Sequence, residues 1–188
     1  MTYKNDYNRC VWARNNYLMR SYHDNEWGVP EHNSRALWEK LILDIFQSGL
    51  SWITVLSKRN ALRDSFAGFD PIKIVSFSES DIMLLLNNPN IIRHRGKINA
   101  TICGAKIYCK MADHGEDFNT FCWSFTDGKV LKGDNDIFPT KIALSERISK
   151  ELKDLNFKFV GPTIVYAWLQ AIGIFNDHSV NCFRREQV

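Results

Sequence analysis

Between Ser34 and Ser48 apolar side chains stand at Leu37, Trp38, Leu41, Ile42, Leu43, Ile45 and Phe46. They wrap most of a helical circumference, which predicts a helix buried on nearly every side. Asn33 or Ser34 supplies its N-cap and Gly49 its stop. Asp70-Pro71 places a cap ahead of a proline at the first helical position and predicts a short helix to about Val75. Ser78, with Asp81 three residues on, opens another that ends near Asn88-Pro89. From Lys97 to Met111, Ile98, Ile102, Ala105 and Cys109 recur at helical spacing. Residues 113–139 hold turn signals (His114-Gly115, Asp127-Gly128, Gly133-Asp134, Pro139) and one short helix around Phe121 to Phe125. Two helices follow, from about Thr140 to Leu155 and from Pro162 to Ile172, the second closed by Gly173. No alternating run is long enough for a sheet, so the expected fold class is all-α, with residues 1–188 forming a single helical unit.

Composition narrows the picture. A chain of 188 residues with 45% apolar and 24% charged residues fits one globular domain, not a disordered or fibrous chain. No apolar run approaches the roughly 18 residues of a membrane span, and the first eight residues are polar, so the expectation is a cytoplasmic protein with no membrane partner. The net charge of +3 permits a nucleic-acid partner without demanding one. Five cysteines, an odd number scattered along the chain, argue against a disulfide framework. Six Trp, six Tyr and twelve Phe exceed what a core of this size calls for, and aromatic clusters can also be platforms on which bases stack.

Four constellations could carry chemistry. His178 and Cys182 are spaced i and i+4, one helix face if that segment is helical, while Cys10 and His23 lie near the other end. Two Cys and two His complete a tetrahedral zinc set that would staple the termini; equally, the cysteines could be small buried hydrophobes and the histidines capped or solvent-facing. Phe157-Lys158-Phe159-Val160-Gly161-Pro162-Thr163 lies between two helices and could offer backbone N–H groups to a phosphate, or be an ordinary turn. Ile91-Ile92-Arg93-His94-Arg95-Gly96-Lys97 places three cations ahead of a helix, as a phosphate-gripping surface or a solvated loop. Asp44 shares a face with Leu37 and Leu41 in an otherwise apolar helix, where a carboxylate needs a purpose or a salt bridge with Lys40 at i−4.

Six ordered blocks carry a resemblance: Arg9-Cys10-x-Trp12, Tyr22-His23-Asp24-Asn25-Glu26-Trp27-Gly28-Val29-Pro30, Gly49-Leu50-Ser51-Trp52-Ile53-Thr54-Val55-Leu56, Ile91 to Ile98, Phe157-Lys158-Phe159-Val160-Gly161 and Asn176-Asp177-His178. Over about residues 9 to 182 the chain strongly resembles the bacterial DNA-3-methyladenine glycosylase I family. That resemblance implies an all-α helix-hairpin-helix DNA glycosylase fold whose structural zinc is held by Cys10, His23, His178 and Cys182. It implies a monomeric DNA-repair hydrolase that excises 3-methyladenine from alkylated double-stranded DNA. Trp12, Tyr22 and Trp52 would line the base pocket, with Asp44 as the catalytic carboxylate. Gly49 and Leu50 would fill the gap in the duplex, and Arg93, Arg95, Lys97, Gly161 and Thr163 would contact DNA. Thr163 also stands where lyases of the wider superfamily carry a catalytic Lys, which implies a monofunctional enzyme. Two departures are visible. Asp44 replaces the family's usual Glu, one methylene longer, and Ile45-Phe46 follow it where small or polar residues are common. The hairpin has Phe159 where the wider superfamily usually has glycine, in the Phe-Val-Gly form of the close family. The rival expectation is therefore a zinc-stapled DNA-binding paralogue with altered or weak excision.

Overall fold

The computed structural model describes residues 8–133 and 139–188. Asp134 of the expected turns, and all but the last of the eight N-terminal residues, lie outside the described residues. Nine α-helices occur among the described residues: α1 (Tyr17–Asn25), α2 (Ser34–Gln47), α3 (Trp52–Ser65), α4 (Pro71–Ile74), α5 (Glu79–Asn87), α6 (Arg95–Asp113), α7 (Phe118–Ser124), α8 (Ala143–Asp154) and α9 (Pro162–Ala171). No described helix is long and apolar enough to cross a membrane.

Local chemistry sets most of the boundaries. Asn33 accepts from the Ala36 N–H to open α2, and Asp70 accepts from Ile72 ahead of Pro71 in α4. Ser78 and Asp81 form a reciprocal capping box on α5. Gly49, at φ +76°, turns the chain out of α2 in a left-handed conformation with open space around it. Helices α1 and α3 carry no prediction from the pattern above. Asn16 does cap α1 through the Met19 N–H, but α3 buries only Val55, Leu56 and Leu62, too few to print a clear stripe. The all-α expectation also needs one correction. Leu131–Lys132 (β1) pairs in parallel with Phe175–Asn176 (β2), a two-residue ladder too short to show as alternation.

Helix α2 is the axis of the core. Leu37, Trp38, Leu41, Ile42, Leu43, Ile45 and Phe46 are all buried, and α3, α6, α7 and α9 pack around them. Two side chains cross-link α2 to α9: Trp168 Nε1 donates to the Leu37 carbonyl at 3.0 Å and Lys40 Nζ to the Ala171 carbonyl at 2.9 Å. These bonds satisfy polar groups that burial would otherwise leave exposed to hydrocarbon.

The first turn of α6 is wedged between two other turns. On one side Lys97 Nζ donates to the carbonyls of Phe46 at 2.8 Å and Ser48 at 2.5 Å. Those carbonyls belong to the end of α2, where helix geometry leaves acceptors free and a cation is favoured. On the other side the His94 ring meets Phe159 edge-on at 5.9 Å, and Gly96 lies against the same ring. Lys97 thus departs from expectation. It is 4% exposed and faces inward, because the buried carbonyls at the end of α2 need a donor more than a solvated loop needs a third cation. Burial also lowers the pKa of its ammonium below the usual lysine value. Replacing Lys97 by Met should therefore cost about 2 kcal/mol of stability by stranding charge-assisted hydrogen bonds. Urea unfolding should show this as a lower midpoint at unchanged slope.

Candidate active site and metal cluster

Cys10, His23, His178 and Cys182 are all buried and their ligand atoms lie within 4.8 Å of one another. The segment carrying His178 and Cys182 is a series of turns, not the helix their spacing allows; Cys182 N–H donates to the Ser179 carbonyl at 2.8 Å and closes the approach. Cys182 Sγ lies 3.4 Å from both His23 Nε2 and His178 Nδ1, and Cys10 Sγ lies 3.7 Å from His178 Nδ1. The opposite ring nitrogens are also engaged: His23 Nδ1 with Asp24 at 2.8 Å and His178 Nε2 with the Trp27 carbonyl at 3.2 Å. Such outer partners fix the orientation of ligating imidazoles. Arg9 forks onto Asp24 from outside at 2.8–2.9 Å. Burial pushes the Asp24 carboxyl up, but hydrogen bonds from Arg9 and His23 outweigh it and hold the group below its ordinary range. A hydrogen bond from Cys10, with others from His178 and His23, holds the Cys182 thiol well below its ordinary range. The group can hold a metal ion.

The cluster and the cavity beside it share residues along the chain. Trp12 follows Cys10 by two positions and Tyr22 precedes His23. A cavity of about 240 Å³ is lined by Trp12, Met19, Tyr22, Trp27, Asp44, Gln47, Trp52, Ala167 and Gln170. Tyr22 and Trp52 meet at 5.1 Å between ring centroids, and Trp12 stands edge-on to Trp27 at 5.0 Å. A second cavity of about 220 Å³, bordered by the Glu26–Arg59 and Glu39–Arg63 ion pairs, lies beyond Tyr22, Asp44 and Trp52, which line both. The three aromatics expected in the pocket and Asp44 are thus brought together. Trp27, Met19, Gln47 and Gln170 were not anticipated as lining. Trp27 lay inside a quoted block, whereas Gln47 and Gln170 give no local signal.

Asp44 is 2% exposed and its Oδ2 has no hydrogen-bond partner among the described residues. Lys40 spends its ammonium on the Ala171 carbonyl, so the i−4 salt bridge does not form. Burial raises the Asp44 carboxyl well above its ordinary value, and the field of Lys40 only partly opposes this. Burial does the same to the Tyr22 phenol, helped by Asp44 and Glu26. The indole N–H of Trp52 is likewise buried without a partner. The cavity therefore offers unspent hydrogen-bonding groups between aromatic faces.

Of the turns expected to meet DNA, the one at Gly49 follows directly on Gln47, which lines this cavity. Leu50 is 42% exposed at the tip of the Gly49 turn. Arg93 is exposed; Arg95 is exposed too and pairs with Glu79 at 2.5 Å. A surface pair of this kind is worth little and yields readily to a phosphate. Gly161 forms the N-cap of α9, followed by Pro162, with nothing within 4 Å of where a Cβ would stand. Thr163 is exposed on the first turn.

Comparison with known proteins gives this arrangement its class, an enzyme that hydrolyses glycosidic bonds. A family model described as methyladenine glycosylase matches residues 12–185, and the chain belongs to that family. The DNA-3-methyladenine glycosylase 1 of Escherichia coli (strain K12) is 46% identical over 181 residues, covering 93% of this chain and 95% of that protein. A crystal structure of 3-methyladenine DNA glycosylase I superposes with a TM-score of 0.91 at 48% identity, covering 94% of this chain and 98% of the other. A variant of 3-methyladenine DNA glycosylase I in complex with 3-methyladenine superposes with a TM-score of 0.90 at 32% identity, covering 95% and 97%.

The buried Asp44 has a thermodynamic signature. Its folded pKa lies well above the 3.8 of the free side chain, so above about pH 4 the unfolded chain releases a proton that the native state keeps. Stability contributed at this position therefore falls as pH rises toward the folded pKa. Asp44→Asn should gain melting temperature relative to the parent as pH rises over the range above about 4. Calorimetry of both proteins across that range checks it, and a constant difference would contradict the assignment.

Proposed function

We propose that the chain excises 3-methyladenine from alkylated duplex DNA by flipping the base into the cavity of Trp12, Tyr22 and Trp52 and hydrolysing its N-glycosidic bond. The observation that carries this reading is Asp44: a buried, unpartnered carboxyl oxygen on the wall of an aromatic cavity, in a chain whose relatives are named for this activity. Methylation at N3 makes adenine cationic and its glycosidic bond weak, so little acid catalysis is needed. Electron-rich rings prefer the cation, by about 1–2 kcal/mol in a dry site. Once the cation is seated, its charge favours the ionised form of Asp44, which accepts hydrogen bonds from the base. Water then attacks the oxocarbenium-like sugar. In this reading the enzyme is monofunctional: Thr163 occupies the position of the superfamily's lyase lysine and offers no amine.

The DNA contacts follow the turns around the mouth. Leu50 fills the space vacated by the flipped nucleotide, Arg93 and Arg95 meet phosphates, and the α9 N-terminus at Gly161 receives another in helix-hairpin-helix fashion. Lys97 acts from behind, by fixing the turn that presents Leu50.

The four-ligand cluster fits zinc. With Zn–S near 2.3 Å and Zn–N near 2.1 Å, tetrahedral edges fall at about 3.3–3.8 Å, the range of the Sγ–N separations of 3.4 and 3.7 Å. Bound there by Cys10, His23, His178 and Cys182, the ion would supply a cross-link and no water activation. Metal analysis should find one zinc per chain. Cys182→Ser should lose it and melt lower; substoichiometric metal with unchanged melting would overturn the assignment.

Release of free bases from methylated duplex DNA tests the activity itself. The parent should release 3-methyladenine, and borohydride should trap no enzyme–DNA adduct. Asp44→Asn should slow single-turnover release by about tenfold or more, since it removes a charged acceptor, while Asp44→Glu should restore it. DNA binding without release would instead establish the paralogue reading.

A further inference from the structure

The aromatic walls explain preference for a cationic purine but not which one. Guanine methylated at N3 is also cationic and of similar size, so stacking and charge treat the two alike. At C6 they differ, adenine carrying an amino donor and guanine a carbonyl acceptor; guanine's own amino group is at C2, on the other side of the ring. We propose that Gln170 makes this distinction, presenting a fixed carbonyl acceptor to the exocyclic edge of the flipped base.

The orientation of the Gln170 amide is set from behind. Asp177 is 4% exposed, and its Oδ2 accepts from Tyr166 Oη at 2.5 Å and from Gln170 Nε2 at 2.6 Å. With Tyr166 Oη and Gln170 Nε2 both donating to that one oxygen, the amide nitrogen faces Asp177 and the amide oxygen is turned elsewhere. Gln170 lines the base cavity with Tyr22, Asp44 and Trp52, and its Oε1 has no hydrogen-bond partner among the described residues. With its Nε2 committed to Asp177, the hydrogen-bonding group this side chain has left to offer the cavity is an acceptor.

The support is built, not incidental. Tyr166 and Gln170 are spaced i and i+4 and reach the same carboxylate from one face of α9. Asp177 sits between strand β2 and the cluster ligand His178. Across from it, β1 leads into Gly133, whose N–H donates to the Asn176 carbonyl at 3.0 Å. A Cβ at Gly133 would collide with Asp177 Oδ1, so the absence of a side chain there gives the carboxylate its room. Gln170 and Asp44 thus offer two acceptors to one small cavity. That pair rewards an amino-bearing base and repels a carbonyl-bearing one.

The inference rests on the cavity being the base site, and the experiment separates the two claims. Single-turnover release of 3-methyladenine and 3-methylguanine is measured from the same methylated DNA, for the parent, Gln170→Ala and Gln170→Met. Melting temperature and metal content are recorded for each protein. The ratio of the two rates should fall about tenfold or more in both variants, because a lost acceptor penalises only the amino-bearing base. If Gln170→Ala does not fold, Gln170→Met keeps the side-chain volume and gives the same reading. Rates that drop together at an unchanged ratio, or do not change, overturn the role of Gln170 and leave the activity standing. A parent that releases no 3-methyladenine overturns the activity itself.

Discussion

Closure of the two chain ends on one buried cluster is the constraint that the site depends on. Residues before α2 bury few apolar side chains of their own, and they are tied down by Cys10 and His23 meeting His178 and Cys182 together with the Glu26–Arg59 pair and the Gly28 N–H bond to the Gln170 carbonyl. The pocket aromatics are neighbours of these ligands in sequence, so fixing the ligands fixes the walls. Tyr22, Trp27 and Leu56 form a second apolar cluster with the two cysteines, separate from the main core around α2. A base-sized cavity can exist between the two clusters because neither collapses onto the other.

The main core supplies the opposite wall and the rim. Asp44 and Gln47 project from α2, whose axis is set by its near-complete burial. The rim is stiffened where Lys97 bridges to the end of α2 and His94 and Gly96 lean on Phe159. Phe159 adopts φ +60°, an uncommon conformation for a bulky residue, and its ring is still 38% exposed. Strain of that kind persists only where surroundings enforce it. Three turns distant in sequence are thereby joined into one surface beside the cavity mouth.

Much of this was legible in the residues. Caps at Asn33, Asp70 and Ser78 and the apolar run of α2 announce their helices because the physics is local. The Cys/His set and the Trp–Tyr blocks are legible through residue type and family resemblance. What could not be read depends on long-range geometry. Lys97 looked like one more surface cation, and only the position of α2's last carbonyls turns it inward. The Lys40–Asp44 pair has good helical spacing, yet the Ala171 carbonyl, 131 residues away, takes the ammonium. Gln170 reads as an ordinary helix residue until Asp177 is seen behind it.

The burial of Cys10 and Cys182, at 2% and 6% exposure, has a chemical consequence for a protein of this family. Methylating agents attack soft sulfur nucleophiles, and a thiolate is the reactive form of cysteine. Cys182, beside two imidazoles, would be consumed by the same reagents that damage DNA if they could reach it. Packed beneath Trp27 and Phe183 and engaged by two imidazoles, it is out of their path. The half-exposed Cys103 and Cys109 are the thiols that such reagents meet first. The fold thus keeps its most nucleophilic atoms indoors.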